Sequence, residues 1–163
     1  MYEKHDSFYA LKHKKDPKIQ KVLNRIVKAS KDVSAVEKLS SKFKKILEKV
    51  INDLSDNAEP YSKNKFNLKS NVISEIDTLN DKDLPRYLVH RYRYEIFPQI
   101  KKTDNFPPYL QIEPTSICNY RCVFCFETDE TFTNKKNGHM GQMKFELFKH
   151  VIDQAEGNIE FIS

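Results

Sequence analysis

The sequence predicts an α/β chain, with a mainly helical region over residues 1–106 and then the first βαβ unit of a parallel sheet over residues 107–163. Three observations carry that prediction. Apolar residues recur every three or four positions through the first part, the period of helices with one buried face. Pro107-Pro108 then punctuates the chain, and Tyr109-Leu-Gln-Ile-Glu113 beyond it alternates as a strand does. Finally, an apolar helical stripe from Met143 to Glu156 leads into Ile159-Glu-Phe-Ile162. Strand, loop, helix and strand in that order form a unit expected to be parallel and right-handed.

Taken in order, Asp16-Pro17 reads as a helix cap followed by proline at the first helical position. Ile19, Val22, Leu23, Ile26 and Val27 line one face of that helix. A second stripe, Val33, Val36, Leu39, Phe43, Ile46, Leu47, Val50 and Leu54, predicts one amphipathic helix of about six turns. The two make a helical hairpin with lysines on its outer faces. Ser55 to Ser70 is polar, contains Pro60, and is expected to be a loop or linker. Val72, Ile73, Ile76 and Leu79 suggest a short helix. From Leu84 to Phe97, arginines and tyrosines interleave, with Arg86, Arg91 and Arg93 among Tyr87, Tyr92 and Tyr94. That mixture can bind single-stranded nucleic acid. The favoured reading is an amphipathic helix that turns Leu84, Leu88 and Ile96 inward and keeps the arginines on its rim. His90 and His150 are expected at the surface or rim. In the last unit Phe145, Phe148, Val151, Ile152 and Ala155 are the apolar helix positions, and Gly157 is the helix stop.

The net charge of +5 is uneven: residues 1–50 carry 14 Lys/Arg against 6 Asp/Glu, and the remainder carries 14 against 17. The basic excess belongs to the helical region, where solvated lysine faces are its ordinary meaning, and nucleic acid is not the expected partner. No apolar run reaches the ~20 residues that span a bilayer. Met-Tyr-Glu-Lys-His-Asp at the start has no apolar segment behind it, so no signal peptide is expected. An odd number of cysteines without an export signal argues for reduced thiols in the cytoplasm.

Those cysteines carry the chemistry. The chain has three, in one string: Cys118-Asn-Tyr-Arg-Cys122-Val-Phe-Cys125. Thiolates are the soft donors that iron–sulfur clusters require, and gaps of three and two residues let a loop curl its sulfurs toward one centre. Three ligands on a four-iron cluster leave one iron open, whereas a closed structural site takes four. The loop from Pro114 to Gln142 is long for a βαβ connection, which marks it as functional. On the residues alone, a Cys3His zinc site completed by His139 competes, as part of a nucleic-acid-binding or protein-binding module. So does a redox dithiol at Cys122 and Cys125, although that leaves Cys118 idle.

The wider string Ile112-Glu-Pro-Thr-Ser-Ile-Cys118-Asn-Tyr-Arg-Cys122-Val-Phe-Cys125 resembles the cluster motif of radical SAM enzymes, closest to the group with SPASM or twitch extensions. The matching elements are a strand ending in Glu-x-Thr, then Cys-Asn, a hydrophobic residue, Arg-Cys, and an aromatic before the last cysteine. Gly141-Gln-Met143 ahead of a helix also fits. The resemblance covers residues 109–163 and implies the start of a partial (β/α)6 barrel. It implies that Cys118, Cys122 and Cys125 ligate a [4Fe–4S] cluster and that Phe124 lies beside the adenine of S-adenosyl-L-methionine. It further implies an electron donor such as flavodoxin or ferredoxin, and a substrate that is a peptide, sugar, lipid or other small molecule. The family's Gly-Gly-Glu-Pro-like turn would begin where Phe161-Ile-Ser163 stands, so the resemblance casts this chain as the N-terminal part of a longer enzyme. Asn119 and Arg121 match the pattern without an assigned role, and Glu113 is expected either to face a barrel interior or to accept backbone hydrogen bonds.

Overall fold

The computed structural model describes residues 17–55 and 64–163. The chain divides into two compact units, Met1–Asn105 and Phe106–Ser163. The Asp16 cap and residues 56–63 of the expected linker lie outside the described residues.

The first unit is helical. α1 (Pro17–Ser30) starts on its proline and buries Ile19, Val22, Ile26 and Ala29, one residue per turn along one face. Val27, expected on that face, is 38% exposed instead. The single helix expected from Val33 to Leu54 is two: α2 (Val33–Val36) and α3 (Ser41–Ser55). Competing caps explain the break. The Asp32 carboxylate accepts the Ser34 N–H at 2.9 Å to start α2, and Ser40 Oγ accepts the Phe43 N–H at 3.3 Å to start α3. The turn between them sends Leu39 into the core and leaves Val33 64% exposed.

α4 (Ser70–Thr78) buries Val72, Ile73 and Ile76. Its last carbonyls need partners. Arg25 of α1 supplies them, donating to the carbonyl oxygens of Ile76 and Leu79 and, through Nε, to Asp81 at 2.6 Å.

α5 (Leu84–Gln99) packs against α1 and α3 and is covered on most sides. It buries Leu84, Leu88, Val89, Tyr92, Ile96 and Phe97. Two polar residues expected outside go with them. Arg93, assigned to the rim, is 3% exposed, because a carboxylate from beyond the helix reaches it: Asp104 accepts from its Nε at 2.8 Å, and the guanidinium lies 5.0 Å from the Phe43 ring centre. His90, expected at the surface, is 7% exposed and stacks with Tyr94. A helix walled in on most sides leaves no rim for either residue.

The described end of the expected linker is also core. Phe66 is fully buried, tied by its N–H to Asp53 of α3 at 2.9 Å and packed near Tyr92. Truncating a buried phenylalanine costs about 3–5 kcal/mol. Phe66→Ala is therefore expected to lower the unfolding free energy of the first unit by that amount, seen as a lower urea midpoint at an unchanged slope, whereas an exposed linker residue would leave the midpoint in place.

In the second unit, β1 (Tyr109–Leu110) and β2 (Phe161–Ile162) pair in parallel, Tyr109 opposite Phe161 and Leu110 opposite Ile162. The ladder is shorter than the strands expected at 109–113 and 159–162. It is extended by Ile112 N–H to the Ser163 carbonyl at 2.8 Å and Ser163 N–H to the Leu110 carbonyl at 3.1 Å. Between the strands lie α6 (Glu130–Thr133) and α7 (Phe145–Ala155). Gly157, at φ +72°, takes the left-handed conformation that ends α7 and reverses the chain toward β2. Of this unit's apolar residues only Ala155 is buried, while Phe145, Leu147 and both β2 side chains are exposed. Among the described residues no helix is long and apolar enough to cross a membrane.

Candidate metal centre

The cysteines sit on the loop that leaves β1 and returns to α7. Its two arms meet at a neck. The Met143 N–H donates to the Pro114 carbonyl at 2.8 Å and the Ser116 N–H to the Gly141 carbonyl at 3.0 Å, while Thr115 and Gln142 form an antiparallel bridge. Ser116 Oγ accepts the Gly141 N–H at 2.8 Å, and its own hydrogen faces the carbonyls of His139 at 3.2 Å and Gly141 at 3.3 Å. Residues 117–140 are thereby one excursion with joined ends. Gly138, at φ +72°, provides the left-handed residue that turns the far arm back.

Inside the excursion the backbone of every cysteine is tied. Arg121 Nη1 donates to the Cys118 carbonyl at 3.2 Å and the Tyr120 carbonyl at 2.9 Å. The Cys125 N–H donates to the Cys122 carbonyl at 2.9 Å. Thr128 closes on the Cys125 carbonyl through its N–H at 3.1 Å and its hydroxyl at 2.8 Å. Local bonds thus use the carbonyls and leave the sulfurs for other work. All three thiols are free, Cys118 and Cys125 half-buried and Cys122 exposed. Cys118 Sγ accepts the Tyr120 N–H at 3.4 Å, the kind of contact that tunes a thiolate at an iron–sulfur centre.

The far arm is braced by aromatic rings. Phe126 meets Phe132 edge to face with centroids 4.6 Å apart, and Phe132 stacks on His139 at 5.2 Å. Asp129 caps α6, and hydrogen bonds from the Thr131 hydroxyl and N–H hold its carboxyl below the usual range. Glu127, in the 3-10 turn Phe126–Thr128, is only 6% exposed. Sequence reasoning singled out neither Ser116, nor the stapling bonds of Arg121, nor the burial of Glu127. The Ser116 bonds and the burial of Glu127 depend on what folding brings alongside, whereas the Arg121 bonds are local and Asp129-Glu-Thr131 is a capping pattern readable in the sequence.

Among the described residues no three or more His, Cys, Asp or Glu side chains are gathered as a ready-made metal site. The structure places Cys118, Cys122 and Cys125 on one loop without bringing their sulfurs to a common centre, and it does not gather His139 with them. His139 is exposed, with its ring spent on Phe132. Phe124, the residue expected beside an adenine, is 91% exposed, as is its neighbour Val123 at 94%. Glu113 is exposed. His150 is exposed too and contacts Gln154. The donor set fits an iron–sulfur cluster in kind: soft, unbridged thiols on a loop whose backbone is held mainly by carbonyl bonds from Arg121, Cys125 and Thr128. No family model, curated protein or solved structure matches the chain.

Proposed function

We propose that the chain is the cluster-binding part of a radical SAM enzyme and that its second unit is the opening βαβ segment of that enzyme's partial barrel. The supporting observation is the cysteine loop: three free thiols, all the chain has, at C-x3-C-x2-C spacing in a closed excursion between two parallel strands. Cys118, Cys122 and Cys125 would each hold one iron of a [4Fe–4S] cluster, leaving the fourth iron open to the amino and carboxylate groups of S-adenosyl-L-methionine. When bound, the cluster supplies the electron that cleaves the sulfonium to methionine and a 5′-deoxyadenosyl radical, which takes a hydrogen atom from the substrate.

The protein's part is to present and shield. The three thiols must lose their protons to bind iron, so loading releases protons and weakens as the pH falls. Exposed Phe124 has its ring free to lie beside the adenine. A flavodoxin or ferredoxin would deliver the electron. Anaerobic reconstitution with iron and sulfide, followed by EPR of the reduced protein, tests the reading. A four-iron signal that changes on adding S-adenosyl-L-methionine is the expected result. Stoichiometric zinc with no cluster would replace the reading with a zinc-stabilised binding module.

A further inference from the structure

We infer that Ser116 is a positioning residue whose hydroxyl closes the neck of the cysteine loop and so sets how long the three thiols keep a bound cluster; this rests on the reading just proposed. The geometry is specific to that hydroxyl. Ser116 lies two positions before Cys118. On one side its oxygen accepts the Gly141 N–H at 2.8 Å, and on the other its hydrogen reaches the His139 and Gly141 carbonyls. One side chain therefore holds both arms of the excursion, joining the residue that leads into the cysteines to the residues where the far arm returns.

Backbone bonds also cross the neck, from the Ser116 N–H to the Gly141 carbonyl and from the Met143 N–H to the Pro114 carbonyl, but no other side chain matches the Ser116 hydroxyl there. Thr115 Oγ1 reaches the Gly141 carbonyl only at 3.4 Å and also accepts the Ile117 N–H on its own arm. Apart from the Phe126, Phe132 and His139 rings of the far arm, the loop supplies little apolar packing to keep the neck shut, since Ile117, Tyr120, Val123 and Phe124 are exposed. Hydrogen bonds must hold it. A cluster leaves such a site when one thiolate swings away and fails to return. Cys118 follows the neck directly, so fraying there frees Cys118 first, and a closed neck makes its return fast.

Two variants of the full chain test the inference, Ser116→Ala and Ser116→Thr, each reconstituted and compared with wild type. The readouts are the rate of iron loss to a chelator and hydrogen exchange at the Gly141 amide. Ser116→Ala is expected to lose iron about tenfold faster and to exchange Gly141 faster by a similar factor, the scale of one or two lost hydrogen bonds. Ser116→Thr keeps the hydroxyl and is expected to restore both rates. Iron loss at the wild-type rate in the alanine variant would overturn the inference and leave the cluster reading standing. Faster exchange throughout the second unit, unrescued by threonine, would reduce Ser116 to general stability and overturn it as well. A wild-type protein that takes up no cluster would remove the proposed function and, with it, the role given to Ser116.

Discussion

Cys122→Ala is expected to abolish uptake of a four-iron cluster while the protein stays folded. Cys122 is the middle one of the three proposed ligands and the exposed one, so its side chain contributes little packing. Its structural contribution is its carbonyl, which accepts the Cys125 N–H at 2.9 Å, and alanine retains that bond. Surface substitutions of this kind usually change stability by no more than about 0.5 kcal/mol. Loss of the cluster would then be a ligand effect, read as iron and sulfide content and as the EPR signal, against unchanged hydrogen exchange at the Gly141 and Ser163 amides of the second unit. A full four-iron cluster in this variant would sink the ligand assignment.

The second large effect belongs to the helical unit. Asp104 lies between Lys42 of α3 and Arg93 of α5, with 6% of its side chain exposed against 3% for Arg93. Breaking a buried ion pair by removing one partner costs about 3–5 kcal/mol, because the other charge is left in a poor solvent. Asp104→Asn should fall in that range at neutral pH, measured by urea unfolding. Replacing Arg93 and Asp104 together by apolar residues of similar volume should recover much of the loss, since removing both charges removes the penalty.

The pH dependence has a definite sign. Burial alone would raise the Asp104 carboxyl, but hydrogen bonds from Lys42 and Arg93 outweigh it, and the folded value lies below the ordinary one. The stability Asp104 contributes is then fully present above the unfolded carboxylate value, near ~4. It is lost as the pH falls through the lower folded value. The Asp104→Asn variant should therefore converge on wild type in acid, and a constant gap from pH 7 to pH 2 would remove the ion pair as the cause.

The helices were legible because their buried positions are local. Ile19, Val22 and Ile26 follow from spacing alone, as do Val72, Ile73 and Ile76. Arg93 was not, because a buried arginine and a rim arginine have the same spacing, and what decides between them is Asp104, eleven residues on and outside the helix. Phe66 hid in a polar stretch, where no period surrounds it. The break between α2 and α3 is masked by apolar spacings that run unbroken through it; the serine cap prevails over a pattern compatible with either arrangement. In the candidate site, residue identity was legible and placement was not. Three cysteines in eight positions are visible in any reading of the chain. A hydroxyl meeting an amide 25 residues away is a product of the fold.

The same separation sets an order of events during synthesis. The Thr115–Gln142 bridge cannot form until the far arm exists, and β1 has no partner until Phe161 and Ile162 are made. At ribosomal speeds of about 5–20 residues per second, the cysteines precede the end of β2 by roughly 2–8 seconds. Through that interval the far arm and the second strand are incomplete, and the excursion has nothing to close it. The helical unit, whose contacts need nothing beyond Asn105, can already be folded by then. Closure of the neck is thus a late event, one that follows the point at which the helical unit has everything it needs to fold.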